Sequence, residues 1–239
     1  MIRSVLFDLG DTLIRNLAGG RQAYLGELAD AAGHVLGRGA GFRDEFLEAW
    51  DEWSAENFPR SLPLSDFLRR LAPDEDAGAL EAAITGRDLG LFVGMPGAAS
   101  TLATLRRRGI RTGVLSNTAF PESHARALLE RCGLPSERIP VIVSCEVGIL
   151  KPSLAAFEAG LRALGSNPAE TCFVGDNPLV DAAGAVSAGF GVAFLLTDDD
   201  TRTPPGATAI RRIPDMLPLL AGPRGPVRRG RGDSDRRTR

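Results

Sequence analysis

The chain has 239 residues, 44% of them hydrophobic and 24% charged, which excludes disordered and fibrous proteins and allows one large domain or one domain carrying a smaller insert. Its formal charge of −2 is uneven: seven arginines and two aspartates in residues 222–239 leave the body ahead of them acidic, at about −7, which argues against nonspecific nucleic-acid binding through phosphate neutralisation. No apolar run reaches the ~18–20 residues of a membrane span, the first residues hold no signal-peptide core, and the three scattered cysteines offer neither a disulfide framework nor a metal knuckle, so a cytoplasmic protein with free thiols is expected.

Ser4–Phe7 is a short apolar run ending in Asp8-Leu9-Gly10-Asp11-Thr12, the pattern of a buried strand delivering polar residues into a turn. Ligands of open α/β sheets bind at that end of the strands. From about residue 20 to 90, the segments Arg21–Leu36, Phe42–Phe58, Leu64–Leu71 and Asp76–Asp88 carry apolar residues at three- and four-residue intervals and predict helices throughout. Trp50 and Trp53 are expected in the core of that stretch, and Arg15, Arg21 and Arg60 on a solvated face. After Met95-Pro96-Gly97, predicted helices Ala98–Arg108, Glu122–Arg131, Leu154–Leu164 and Val180–Ala188 alternate with strands Thr112–Leu115, Val141–Val143, Thr171–Val174 and Val192–Leu196, and Ile210–Leu220 adds a last short helix. Such alternation means parallel pairing with right-handed crossovers. The expected fold class is α/β, a doubly wound (Rossmann-like) parallel sheet core from residues 1–15 and 93–221, with an inserted all-helical segment over 16–92 and a disordered Arg-rich tail over 222–239. His34 and His124 have no partner at a triad or metal spacing and are expected to be ordinary, partly exposed histidines.

The chemistry-bearing residues fall at predicted strand ends. Parallel strands in register bring Asp8 close to Asp176, with Asp181 five residues further on. Carboxylates forced together need a cation, and hard oxygen ligands without histidine or cysteine favour Mg²⁺. Ser116-Asn117 supplies short polar groups for an anion's oxygens. Of 28 basic side chains only Lys151 is a lysine, so a site that needs a compact ammonium in place of a planar guanidinium is indicated there. A nucleophilic carboxylate, a metal, hydroxyl and amide donors and an ammonium suit a phosphoryl group.

These residues resemble the four motifs of the haloacid dehalogenase-like superfamily: Phe7-Asp8-Leu9-Gly10-Asp11-Thr12-Leu13, Leu115-Ser116-Asn117, Lys151-Pro152, and Val174-Gly175-Asp176 through Asp181. The helical stretch stands where one branch of that family carries its cap domain. The resemblance implies a Mg²⁺-dependent phosphatase of a small phosphorylated metabolite, with Asp8 as the nucleophile that becomes an aspartyl phosphate. By the same resemblance, Ser116 and Lys151 hold the phosphoryl oxygens, Asp176 and the Gly10 carbonyl join Asp8 around the metal, and Asp181 orients a metal-bound water or Lys151. One departure stands out, since Gly10 occupies the place of the usual acid/base aspartate. Asp11 or a cap residue takes that role, the leaving group needs no proton, or turnover is lost. Asp11 is equally readable as a turn residue. A haloacid dehalogenase-type hydrolase and a catalytically weak binding or regulatory protein are the alternatives that Gly10 keeps open.

Overall fold

The computed structural model describes residues 1–39 and 41–220; the arginine-rich tail expected to be disordered lies outside the described residues. Six parallel strands form the main sheet: β1 (Ser4–Phe7), β4 (Arg111–Ser116), β5 (Val141–Val143), β6 (Thr171–Gly175), β7 (Val192–Leu196) and β8 (Thr208–Ile210). Their order is β5-β4-β1-β6-β7-β8. The chain therefore runs outward from β1 on one side, then crosses back to the other, and the strand order reverses at β1. A crevice opens at such a reversal, beyond the carboxyl ends of the strands.

Alternation along β1 separates two cores. Val5 and Phe7 pack with Val114 and Val174 under α5 (Ala98–Arg107) and α6 (Glu122–Arg131), through Leu102, Leu105 and Leu129. Leu6 faces the other way, with Leu115 and Phe173, under Phe157 and Leu161 of α8 (Leu154–Leu164). Burial on both faces is why these strands read as continuous apolar runs.

Between β2 (Ile14–Asn16) and β3 (Phe92–Gly94) the chain forms α1 (Arg21–Val35), α2 (Phe42–Asn57), α3 (Leu64–Leu71) and α4 (Ala77–Leu89). These helices bury their own cluster, including Leu28, Phe46, Phe67, Leu80 and Ile84. Trp53 joins it as the spacing predicts, and Trp50 stacks on Phe46 with ring centres 6.2 Å apart. Asp76 starts α4 by accepting from the amides of Gly78 and Ala79. β2 and β3 pair antiparallel, Arg15 opposite Val93, and so tie the two ends of the helical segment together. Ile14-Arg15-Asn16 and Phe92-Val93-Gly94 are short and not uniformly apolar, so neither alternation nor an apolar run marks this ribbon in the sequence.

Two expected helices differ. Ile210 ends β8 opposite Leu196; a 3₁₀ turn over Ile213–Asp215 and the four-residue α10 (Met216–Leu219) follow. Pro214 and Pro218 remove the amides that a continuous helix over 210–220 needs. The predicted helix Val180–Ala188 begins instead as a wide π-type turn over Pro178–Ala183 and continues as α9 (Gly184–Ser187). Another short helix, α7 (Ser144–Val147), precedes the Lys151 loop. Among the described residues no helix is long and apolar enough to cross a membrane, and all three cysteines are free.

Candidate active site

Asp8 stands at the switch point because its amide continues the ladder past Phe7, donating to Val174 O at 2.8 Å. Asp176 follows β6 directly, and Ser116 is the last residue of β4. Lys151, only 2% exposed, reaches in from the loop before α8, and its Nζ donates to Asp8 Oδ1 and to Asp181 Oδ1, each at 2.7 Å. The same ammonium lies 5.2 Å above the centre of the Phe173 ring, a favourable position for a cation. A point charge on a flexible stem fits between two carboxylates and a ring face where a guanidinium would not, which accounts for the chain's one lysine.

Asp181 is held by the wide turn that replaces the start of the expected helix. Asn177 Oδ1 accepts from the amides of Leu179 and Val180, and Asn177 N donates to Asp181 Oδ2 at 3.0 Å. Gly175 makes room for this fold-back: a Cβ there would lie 2.4 Å from both Cβ and Cγ of Asp181. One carboxylate oxygen from each of Asp8, Asp176 and Asp181 lies within 4.8 Å of the others. Three carboxylates against one ammonium leave a charge of −2 when all are ionised. Burial, with repulsion from Asp181 and Asp176, pushes Asp8 up to about 7 in spite of Lys151. Burial and the charges of Asp181 and Asp11 lift Asp176 to about 6. Burial works against the Lys151 charge, but Asp8 and Asp181 outweigh it and raise the lysine. A hard, all-oxygen donor set with a deficit of two positive charges fits Mg²⁺. Asp181 already bonds Lys151 and Asn177 through its two oxygens, so Asp8 and Asp176 are the more open ligands.

The remaining expected residues sort by their contacts. The Ser116 hydroxyl has no hydrogen bond among the described residues and faces the cavity above the carboxylates. Asn117 lines that cavity too, but its side chain clamps the lysine's main chain, Nδ2 donating to Lys151 O at 3.0 Å and Oδ1 accepting from Lys151 N at 2.8 Å. Asn117 therefore positions the lysine, where the sequence suggested a direct phosphoryl contact. Asp11 sits at φ 52°, left-handed backbone that aspartate tolerates, and its Oδ1 accepts from Asn16 N at 3.2 Å, closing the turn into β2. A Cβ on Gly10 would meet nothing within 4 Å.

The cavity has a volume of about 790 Å³ and extends from Asp8 to a wall formed by α1, α4 and α6. There the structure corrects the expectation for His124. Its ring is buried, 6% exposed, and its Nε2 lies 2.6 Å from Asp88 Oδ2. Asp88, 1% exposed, accepts the Tyr24 hydroxyl on its other oxygen at 2.5 Å. Phe120 stacks on the imidazole at 4.7 Å between ring centres. A sequence signal for this cluster exists: Asp88 continues the Leu80, Ile84 stripe at four-residue spacing, and His124 precedes Leu128 in the same way, so each puts a polar group on a buried face.

A family model for haloacid dehalogenase-like hydrolases matches residues 2–189. The chain is 33% identical over 210 residues to a phosphoglycolate phosphatase from Rhodospirillum rubrum, covering 82% of this chain and 80% of that protein. The chain belongs to the haloacid dehalogenase-like hydrolases. Within the family it is also 32% identical over 217 residues to a phosphoserine phosphatase from Thermus thermophilus, covering 79% of this chain and 86% of the relative. The crystal structure of a haloacid dehalogenase-like phosphatase from Thermococcus onnurineus superimposes with a TM-score of 0.68 at 23% identity, over 92% of this chain and 99% of that one, so the fold is that of the family.

Proposed function

We propose that this haloacid dehalogenase-like hydrolase is a Mg²⁺-dependent phosphatase of a small phosphorylated metabolite, working through an aspartyl phosphate on Asp8. The observation that carries the reading is the cluster of Asp8, Asp176 and Asp181 around Lys151, with its two missing positive charges. Asp8 and Asp176, with the Gly10 carbonyl, would hold the metal, which when bound screens the charge on the phosphoryl oxygens. The free oxygen of Asp8 attacks phosphorus. Lys151 neutralises the entering phosphoryl group, the Ser116 hydroxyl donates to one of its oxygens, and Asp181 keeps Lys151 charged and in place. Helices α1 and α4 wall the cavity on the side of the helical segment, and α1–α4 together act as the cap that selects the leaving group. Phosphatase relatives support the reaction class. A 2-haloacid dehalogenase accommodates Gly10 but has no use for the uncompensated carboxylates, and a binding module has no use for a nucleophile held against an ammonium.

A panel of phosphate monoesters assayed with and without Mg²⁺, beside a 2-haloacid, tests the reading. Mg²⁺-dependent phosphate release, with a phosphoryl group trapped on wild type and absent from Asp8→Asn, is expected. Halide release without metal would establish the dehalogenase, and no turnover of any substrate would establish the binding module.

A further inference from the structure

Ester cleavage needs a proton for the departing oxygen, and the cavity's titratable groups narrow its source. Asp8 and Asp176 belong to the carboxylate cluster, and Lys151 is held between Asp8 and Asp181. Arg21 does not give up its proton. Asp11 has one oxygen committed to the turn and lies outside the buried part of the site. Asp88 has a partner on each oxygen. Burial and the adjacent Asp88 hold the Tyr24 hydroxyl well above its ordinary range, so Tyr24 stays a donor to Asp88. His124 remains.

Its setting is that of an oriented acid/base. Tyr24 from α1 and Asp88 from α4 are the titratable groups that face it, and Asp88 Oδ2 accepts a hydrogen bond from Nε2–H, which leaves Nδ1 as the working nitrogen. Nδ1 has no hydrogen bond among the described residues, and it is not one of the partnerless atoms sealed from solvent. The ring itself lines the cavity that holds Asp8. In-line attack by Asp8 puts the leaving oxygen on the side of phosphorus opposite the attacking one, and the cavity walls beyond the carboxylate cluster include α1, α4 and α6.

Resting on the phosphatase reading, we propose that His124 is the general acid/base of this enzyme, with Asp88 and Tyr24 as its positioning residues. In the first step the Asp8 oxygen bonds to phosphorus, the phosphorus–ester oxygen bond breaks, and the Nδ1 proton passes to that oxygen, which leaves as an alcohol. In the second, water attacks phosphorus, its proton goes to Nδ1, the bond to Asp8 breaks and phosphate departs. The catalytic cycle closes with His124 protonated and Asp8 free.

The test compares kcat/KM for alkyl, phenyl and 4-nitrophenyl phosphates, with Mg²⁺, in wild type, His124→Gln and Asp88→Asn. His124→Gln is expected to lose about 10²–10⁴-fold on the alkyl ester and less than about 10-fold on the nitrophenyl ester, whose leaving group needs no proton. The alkaline decline of the wild-type alkyl-ester profile should vanish in His124→Gln, and Asp88→Asn should fall between. Equal losses on all three esters, an unchanged alkyl rate, or a wild-type profile with no alkaline decline overturns the assignment; the last needs no variant, so misfolding of His124→Gln does not shield it. Wild type that hydrolyses none of the esters overturns the phosphatase reading itself, whereas turnover that is Mg²⁺-dependent but indifferent to His124 overturns only this assignment.

Discussion

Lys151 and Gly175 carry geometric demands that their nearest substitutes fail. Lys151→Arg keeps the charge but puts a larger planar group where Nζ meets two carboxylates at 2.7 Å and a ring at 5.2 Å. We expect at least a 10²-fold fall in kcat with Mg²⁺ present, read in a steady-state ester assay. Gly175→Ala adds only a methyl group, yet its Cβ overlaps Asp181 at 2.4 Å. Asp181 must then swing out, releasing Lys151 and the Asn177 amide together. The expected result is activity near background, and a rate within a few-fold of wild type would show that the turn yields more easily than the geometry implies. Asp11→Asn keeps an acceptor for Asn16 N and removes only the charge, so a change below about 10-fold in rate is expected, in contrast to the loss a missing acid/base produces.

At the scale of elements, Asp76 is the one side chain that caps α4, the helix that carries Asp88 at its far end. Asp76→Ala should lower stability by about 1 kcal/mol, a fall of roughly 2–4 °C in Tm for a chain of this size, with kcat on a good leaving group little changed. The periodic elements were legible because burial imposes period on sequence: α3, α6 and α8 have the bounds their apolar spacing predicts, and β5 and β7 match their apolar runs. What was not legible depends on contacts distant in the chain or on short pieces of mixed composition. β2 (Ile14-Arg15-Asn16), β3 (Phe92-Val93-Gly94) and β8 (Thr208-Ala209-Ile210) mix polar or small residues into three positions, whereas β5, equally short, is apolar throughout. The π-type turn over 178–183 is set by Asn177 and Asp181 bonding across four residues, which a helical pattern conceals. In the site, the residues at strand ends were readable one at a time, whereas the Asn117 clamp on Lys151 spans 34 positions and the Tyr24–Asp88 bond spans 64. No spacing rule reaches that far.

The molecule as a whole folds around a charge deficit that a divalent cation would cancel, and this couples stability to both pH and metal. Asp8 and Asp176 have folded-state values of about 7 and about 6 against an ordinary 3.8. Between roughly pH 4 and 7 the metal-free folded protein therefore binds more protons at these groups than the unfolded chain does, and stability from them falls as pH rises through that window. Below it, protons already quiet the cluster; above it, the folded state carries unbalanced carboxylates that a cation relieves. Mg²⁺ at 100 times its Kd should add about 2.7 kcal/mol at pH 7.5, a rise of roughly 5–10 °C in Tm. At pH 5, where protons compete for the same oxygens, the rise should shrink to a small fraction of that. Thermal melts at the two pH values, with NaCl at matched ionic strength as the reference, measure the difference. Asp176→Asn removes one of the competing charges and should flatten both the pH dependence and the response to Mg²⁺. Equal Mg²⁺ responses at pH 5 and 7.5, or a response that NaCl reproduces, would mean that the cluster's charge is balanced without a bound cation.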